Sequence, residues 1–190
     1  MSDNNSQYVN AGKPKIGGAV FRAAVGTALP ESVSDTLSSA FENLGFISDA
    51  GVVNSNSPSN TSIKEWGGTV VLDIQTEKPD TFKMAFLEST NLEVLKTIYG
   101  DDNVSGTIDT EIKVKVNAKE LPTQSMVVDM VLKNNGAKRI VIPICKATSL
   151  SDITYAGNDA VNYEVTFSCY PDENGDTHLE YIKGGNVVSF

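Results

Sequence analysis

One histidine, His178, and two cysteines, Cys145 and Cys169, are all the imidazole and thiol this 190-residue chain contains. That scarcity excludes a multi-histidine zinc centre and makes any nucleophile–base pair depend on a single ring. Each cysteine sits in an apolar, β-branched run, where a small buried thiol is the usual occupant. A chain of this length can build a core without a covalent staple, so both thiols are expected to be free. Gly-x-Ser-x-Gly elbows, phosphate-binding loops and dinucleotide fingerprints are missing as well. No catalytic residue and no cofactor-binding residue is expected, and the chain reads as a non-enzyme.

Basic charge is also short. Lys and Arg number 15 against 24 Asp and Glu, a formal charge of −9, and no basic cluster is longer than Lys138-Arg139. Gripping a phosphate backbone takes several clustered cations, so specific nucleic-acid binding is not expected. No apolar run approaches the roughly 20 residues of a bilayer-spanning helix. The amino-terminal MSDNNSQYVNAGK has neither the basic nor the apolar part of a secretion signal. Synthesis and retention in cytosol-like conditions, with no membrane partner, is the expectation.

What is present is mostly β patterning. Residues 1–15 are polar and aperiodic and read as a flexible arm, and residues 16–190 read as one β-domain. A first strand is expected over residues 18–25. Then Val33, Leu37, Ala40, Phe41 and Leu44 recur at helical spacing, with Gly45 where a C-cap belongs, which predicts a short amphipathic helix. Residues 48–62, SDAGVVNSNSPSNTS, are too rich in Asn, Ser, Gly and Pro for a regular strand along their length and predict a long loop. Loops that long are uncommon in compact domains unless they have a function. Its polar centre cannot offset an ordering cost of about 1–2 kcal/mol per residue, so a partner surface is expected to order it. The candidate assembly residues are Asp49, Gly51, Val52, Val53, Asn54, Ser57, Asn60 and Ile63.

Residues 63–77 and 81–88 predict paired strands joined around Lys78-Pro79-Asp80, with a bulge at Gly67-Gly68 and the single tryptophan, Trp66, in the core. Thr90 and Glu93 form a capping box for a second helix, whose Leu92, Leu95, Ile98 and Tyr99 share a face before Gly100 ends it. Beyond it, Ile108, Ile112, Val114 and Val116 alternate with charged residues. Residues 126–133 and 138–148 flank the hairpin signal Asn134-Asn135-Gly136-Ala137, and residues 161–170 and 178–182 flank an acidic turn. The pattern predicts a mainly β fold with short α: a β-sandwich or partly open barrel of seven or eight strands, flanked by one or two short helices.

Asp101, Asn103, Ser105, Gly106, Ile108 and Asp109 fall at positions of an EF-hand-like calcium loop, but Ile112 replaces the bidentate Glu and a strand pattern follows. A polar loop leading into the next strand accounts for the run, and no metal site is expected.

Gly26-Thr27-Ala28-Leu29-Pro30, residues 37–52 (LSSAFENLGFISDAGV), residues 63–71 (IKEWGGTVV) and residues 87–104 (LESTNLEVLKTIYGDDNV) carry a resemblance in content and order. Together they resemble the major tail tube proteins of long, non-contractile bacteriophage tails, over roughly residues 16–110. The second half is similar only in being a β-meander. The resemblance implies a tail-tube-like β-sandwich or barrel with a flanking helix, six copies per ring, and rings stacked around a channel that conducts DNA during ejection. It further implies the tape-measure protein and the tail tip and terminator proteins as partners, synthesis in the host cytoplasm and residence in the virion. The acidic balance suits a conduit through which DNA slides without specific binding. The alternative is a non-enzymatic β-sandwich module of a virion that binds carbohydrate or a receptor, which would display a shallow aromatic platform.

Overall fold

The computed structural model describes residues 6–185. In chain order the strands are β1 (Lys13–Pro14), β2 (Val20–Ala24), β3 (Glu42–Asn43), β4 (Ile47–Asn56), β5 (Ser59–Lys64), β6 (Val70–Glu77) and β7 (Asp80–Phe86). The helix α1 (Leu92–Tyr99) follows, then β8 (Val104–Thr107), β9 (Glu111–Val114), β10 (Gln124–Val131), β11 (Ala137–Leu150), β12 (Tyr163–Tyr170) and β13 (Leu179–Lys183). Nine of these form one sheet in the order β3-β2-β10-β11-β12-β7-β4, with β1 added beside β10 and β13 beside β11. The sheet is open and not closed into a barrel, and its covered faces give the expected sandwich-like, mainly β architecture.

Local chemistry explains the central hairpin. Asn134 and Asn135 both take positive φ, 56° and 61°, and these consecutive left-handed residues turn the chain with the twist that β10 and β11 require. On its edge away from β10, the long strand β11 then serves two neighbours. Its first part, Ala137 to Val141, pairs with β13, and from Ile144 onward it pairs with β12. Pro143 sits at the changeover, where a residue without an N–H costs the ladder least.

Strict alternation on β12 sends Tyr163, Val165, Phe167 and Cys169 to one face. There they join Phe82, Met84 and Phe86 of β7 and Ile142 of β11 beneath Val94, Leu95 and Ile98 of α1. A smaller core on the opposite face gathers Ala23, Val127 and Val141 under Phe41, Leu37 and Tyr181. The helix itself forms where the capping pattern places it, but its cap is one residue later than expected. Asn91, not Thr90, accepts the Glu93 N–H, and Gly100 ends the helix at φ 90°.

The helix predicted over residues 33–44 does not form, and residues 31–41 are irregular. Short polar side chains compete for the backbone: the Glu31 N–H and the Ser32 hydroxyl both donate to the Asp35 carboxylate. Arg139 completes the capture, donating through Nη1 to the carbonyls of Ser32 and Asp35 at 2.8 Å each. Leu37 and Phe41 still face the small core, which explains the helix-like spacing of apolar residues. Arg139 is itself held by Asp129 directly across the β10–β11 ladder, at 2.6 and 2.9 Å, and both side chains are almost wholly buried. Lys15 reaches the same carboxylate at 3.3 Å, so the segment expected to be a free arm is tied down at residues 13–15, where β1 pairs with β10.

Candidate assembly surface

The stretch expected to be a long loop, residues 48–62, is instead most of two strands. β4 pairs with β7 up to Asn56 opposite Asp80, and β5 pairs with β6 from Ser59 opposite Glu77. Residues 47–86 are therefore one long hairpin, bulged in β4 and β6 and broken between the two ladders where Pro58 and Pro79 remove donors. Lys78-Pro79-Asp80 is a break within one arm of this hairpin and not the turn that composition suggested. The turn lies at residues 65–69. The Glu65 carboxylate accepts the N–H groups of Gly67 and Thr69 at 2.8 and 3.1 Å, and Gly68 supplies φ 91°. Those backbone donors hold the Glu65 carboxyl below its ordinary pKa.

Beyond the break the hairpin belongs to no larger sheet among the described residues, and every residue of β5 and β6 is exposed. Its two faces differ. Ile63 stands opposite Leu72 and Thr61 opposite Ile74, which together with Val70 makes an apolar face on an arm with no core beneath it. On the other face Asp73 accepts from Asn60 and Ser62. At the tip, Trp66 is 104% exposed, the reverse of the core position expected for a lone tryptophan.

The root of the arm is fixed by a buried carboxylate. Asp80 accepts from Asn54 at 2.8 Å, from the Thr177 hydroxyl at 2.6 Å and from His178 Nδ1 at 2.5 Å. Burial pushes the Asp80 carboxyl up, but the bonds from Thr177, His178 and Asn54 outweigh it and leave its pKa below the ordinary value. The imidazole also meets the Phe82 ring edge-on at 5.2 Å. His178 is thus a half-buried strut of the arm's root.

The sequence-derived assembly residues divide along this hairpin. Asp49 and Gly51 lie where β4 bulges, with Gly51 at φ 72° between the paired Ile47 and Val52. Val52 packs against the main core and Val53 faces solvent. Asn54 braces the root, Ser57 marks the break, and Asn60 and Ile63 lie on opposite faces of the arm. Composition missed Trp66, Val70, Leu72 and Ile74, although the alternation Val70, Leu72, Ile74 is the ordinary signal of a strand with one apolar face.

The residues considered for chemistry are engaged elsewhere. Cys145 and Cys169 stand opposite each other on β11 and β12, both buried and both free. Burial pushes the Cys145 thiol well above its ordinary pKa and Cys169 to about 12, far from a reactive thiolate. Asp101 is bound by Arg22 at 2.7 Å and Asn103 donates to the Tyr99 carbonyl, so these calcium-loop positions do not converge.

The chain exposes 12351 Å² of surface. A compact monomer of 20.3 kDa is expected to expose about 8,800 Å². Excess surface, open sheet edges and an apolar-faced arm define a subunit shaped for joining to others. The sequence model of a family described as phage tail tube protein matches residues 1–186, and the chain belongs to that family. The match extends the likeness through the second half of the chain, beyond the segments that carried it. Comparison with curated proteins finds no match. The protein is a structural tail tube component of a bacteriophage.

Proposed function

We propose that the chain polymerises as stacked six-membered rings forming the conduit for DNA ejection, with the arm at residues 57–79 as the clamp between rings. The observation that carries this is the arm itself: a paired hairpin whose Ile63, Val70, Leu72 and Ile74 have no core of their own to bury against. Within a ring, the outer edges of β4 and of β2–β3 are the free strands through which neighbours pair. The negative charge repels phosphates along the channel, so DNA passes without being held. The tape-measure protein occupies that channel before ejection, and tip and terminator proteins close its ends. Subunits are made in the host cytoplasm and end in the virion.

The test shortens the hairpin symmetrically, removing residues 60–63 and their ladder partners 72–75 while keeping the turn. A folded product that yields only monomers or single rings by negative-stain microscopy is expected. Normal tubes from the shortened chain would remove the clamp role. A carbohydrate- or receptor-binding module finds one observation in its favour, the exposed Trp66; it predicts a discrete oligomer that never extends.

A further inference from the structure

We infer that Trp66 at the tip of one subunit's arm seats in a groove on the next subunit, between the start of α1 and the β8–β9 turn. This rests on the tube-subunit function proposed above and names the surface that receives the arm. The groove measures about 660 Å³ and is lined by Leu87, Glu88, Leu92, Thr107, Ile108 and Ile112. Its apolar wall is left open within the subunit, with Ile108 71% exposed in the β8–β9 turn.

The relative placement of tip and groove decides the geometry. The arm leaves β7 at Asp80, and the groove begins at Leu87, immediately after the other end of β7 at Phe86. The seven residues of β7 span about 23 Å, and the eight residues of β6 carry the tip about 26 Å further away. A subunit therefore cannot fill its own groove. A knob at the arm's tip and a hole beyond its root form a heterologous pair, which extends an open polymer along the strand direction wherever the rotation between successive subunits does not close a ring.

The chemistry matches. An indole buries about 150–250 Å² and suits a groove walled by leucine and isoleucine. Lys64 beside the tip has no ion-pair partner among the described residues, while Glu65 spends its charge on its own turn. Glu88 on the groove wall already accepts from the Phe46 N–H and the Asn91 side chain, and the exposed carboxylates of the rim are Asp109 in the adjoining turn and Glu111 at the start of β9. The seated tip thus brings an unspent cation to an acidic rim.

Trp66 is the only tryptophan, so its emission reports on the contact directly. Wild-type protein is compared with Trp66→Ala and Ile108→Glu, both at exposed positions, with circular dichroism confirming the fold. Emission moves to the blue as wild-type concentration rises, and Ile108→Glu abolishes the shift. Trp66→Ala raises the concentration needed for assembly about thirtyfold or more. Trp66→Cys mixed with Ile108→Cys forms disulfide-linked heterodimers under mild oxidation, faster than Trp66→Cys mixed with a control Tyr155→Cys; the buried native thiols stay silent. Tubes whose Trp66 emission is unshifted, or cross-linking no faster than the control, overturn the contact and leave the tube function standing. Fast heterodimers from a protein that never forms tubes keep the contact and remove the tube.

Discussion

Replacing Arg139 with methionine isolates the buried charge that holds the sheet to its covering segment. The substitution leaves Asp129 facing the interior with its closest partner gone, and it removes the donors that now satisfy the Ser32 and Asp35 carbonyls. Removing one member of a buried pair costs about 3–5 kcal/mol, because the remaining charge is stranded away from water. Lys15 stays within 3.3 Å of Asp129 and is itself half-exposed, which argues for the lower end of that range. For a chain of this size each kcal/mol moves the midpoint by about 2–4 °C, so Tm should fall by about 6–20 °C. The double variant Asp129→Leu with Arg139→Met removes both charges and should recover most of the loss. Thermal unfolding followed by circular dichroism at concentrations below assembly measures all three proteins. A single variant within about 1 kcal/mol of wild type, or a double variant worse than the single, would refute the stranded-charge argument.

Glu93 offers a pH test. Burial pushes its carboxyl up, but hydrogen bonding with Glu42, Lys96 and Arg22 prevails and holds it at about 2, against an ordinary 4.5. A depressed pKa contributes stability above the ordinary value that is lost as pH falls, so Tm should drop between about 4.5 and 2, and Glu93→Gln should flatten that slope. At the arm's root, His178→Ala removes one donor to Asp80 and should cost about 1–2 kcal/mol while speeding amide exchange in residues 57–79; unchanged exchange there would dissociate His178 from the arm. Cys145 and Cys169 should resist thiol reagents until the protein unfolds, given burial and their raised pKa values, and rapid native-state labelling would contradict that placement.

Features specified locally were legible in the sequence. The Asn134-Asn135 turn and α1 are fixed by residues within a few positions of themselves, through backbone handedness and capping, and both form close to where the pattern puts them. Features specified by distant partners were not. Residues 33–44 have helical spacing, yet Arg139, a hundred residues away, takes the carbonyls around which a helix would start. The polar stretch 48–56 is a strand because β7 supplies the ladder, which composition cannot reveal. Trp66 looked like core because a lone tryptophan usually is, and only the hairpin register shows it at a turn. The groove is assembled from residues 87–92 and 107–112, and no single window of sequence contains it.

The central claim, that this subunit builds a tube through its arm, is tested most directly by electron cryomicroscopy of concentrated full-length protein, alone and with its tail initiator complex. Stacked six-fold rings with density for residues 57–79 crossing from each ring to the next are the predicted result. Tubes in which that hairpin projects free into solvent, or a closed dimer or trimer that never extends under either condition, would contradict it.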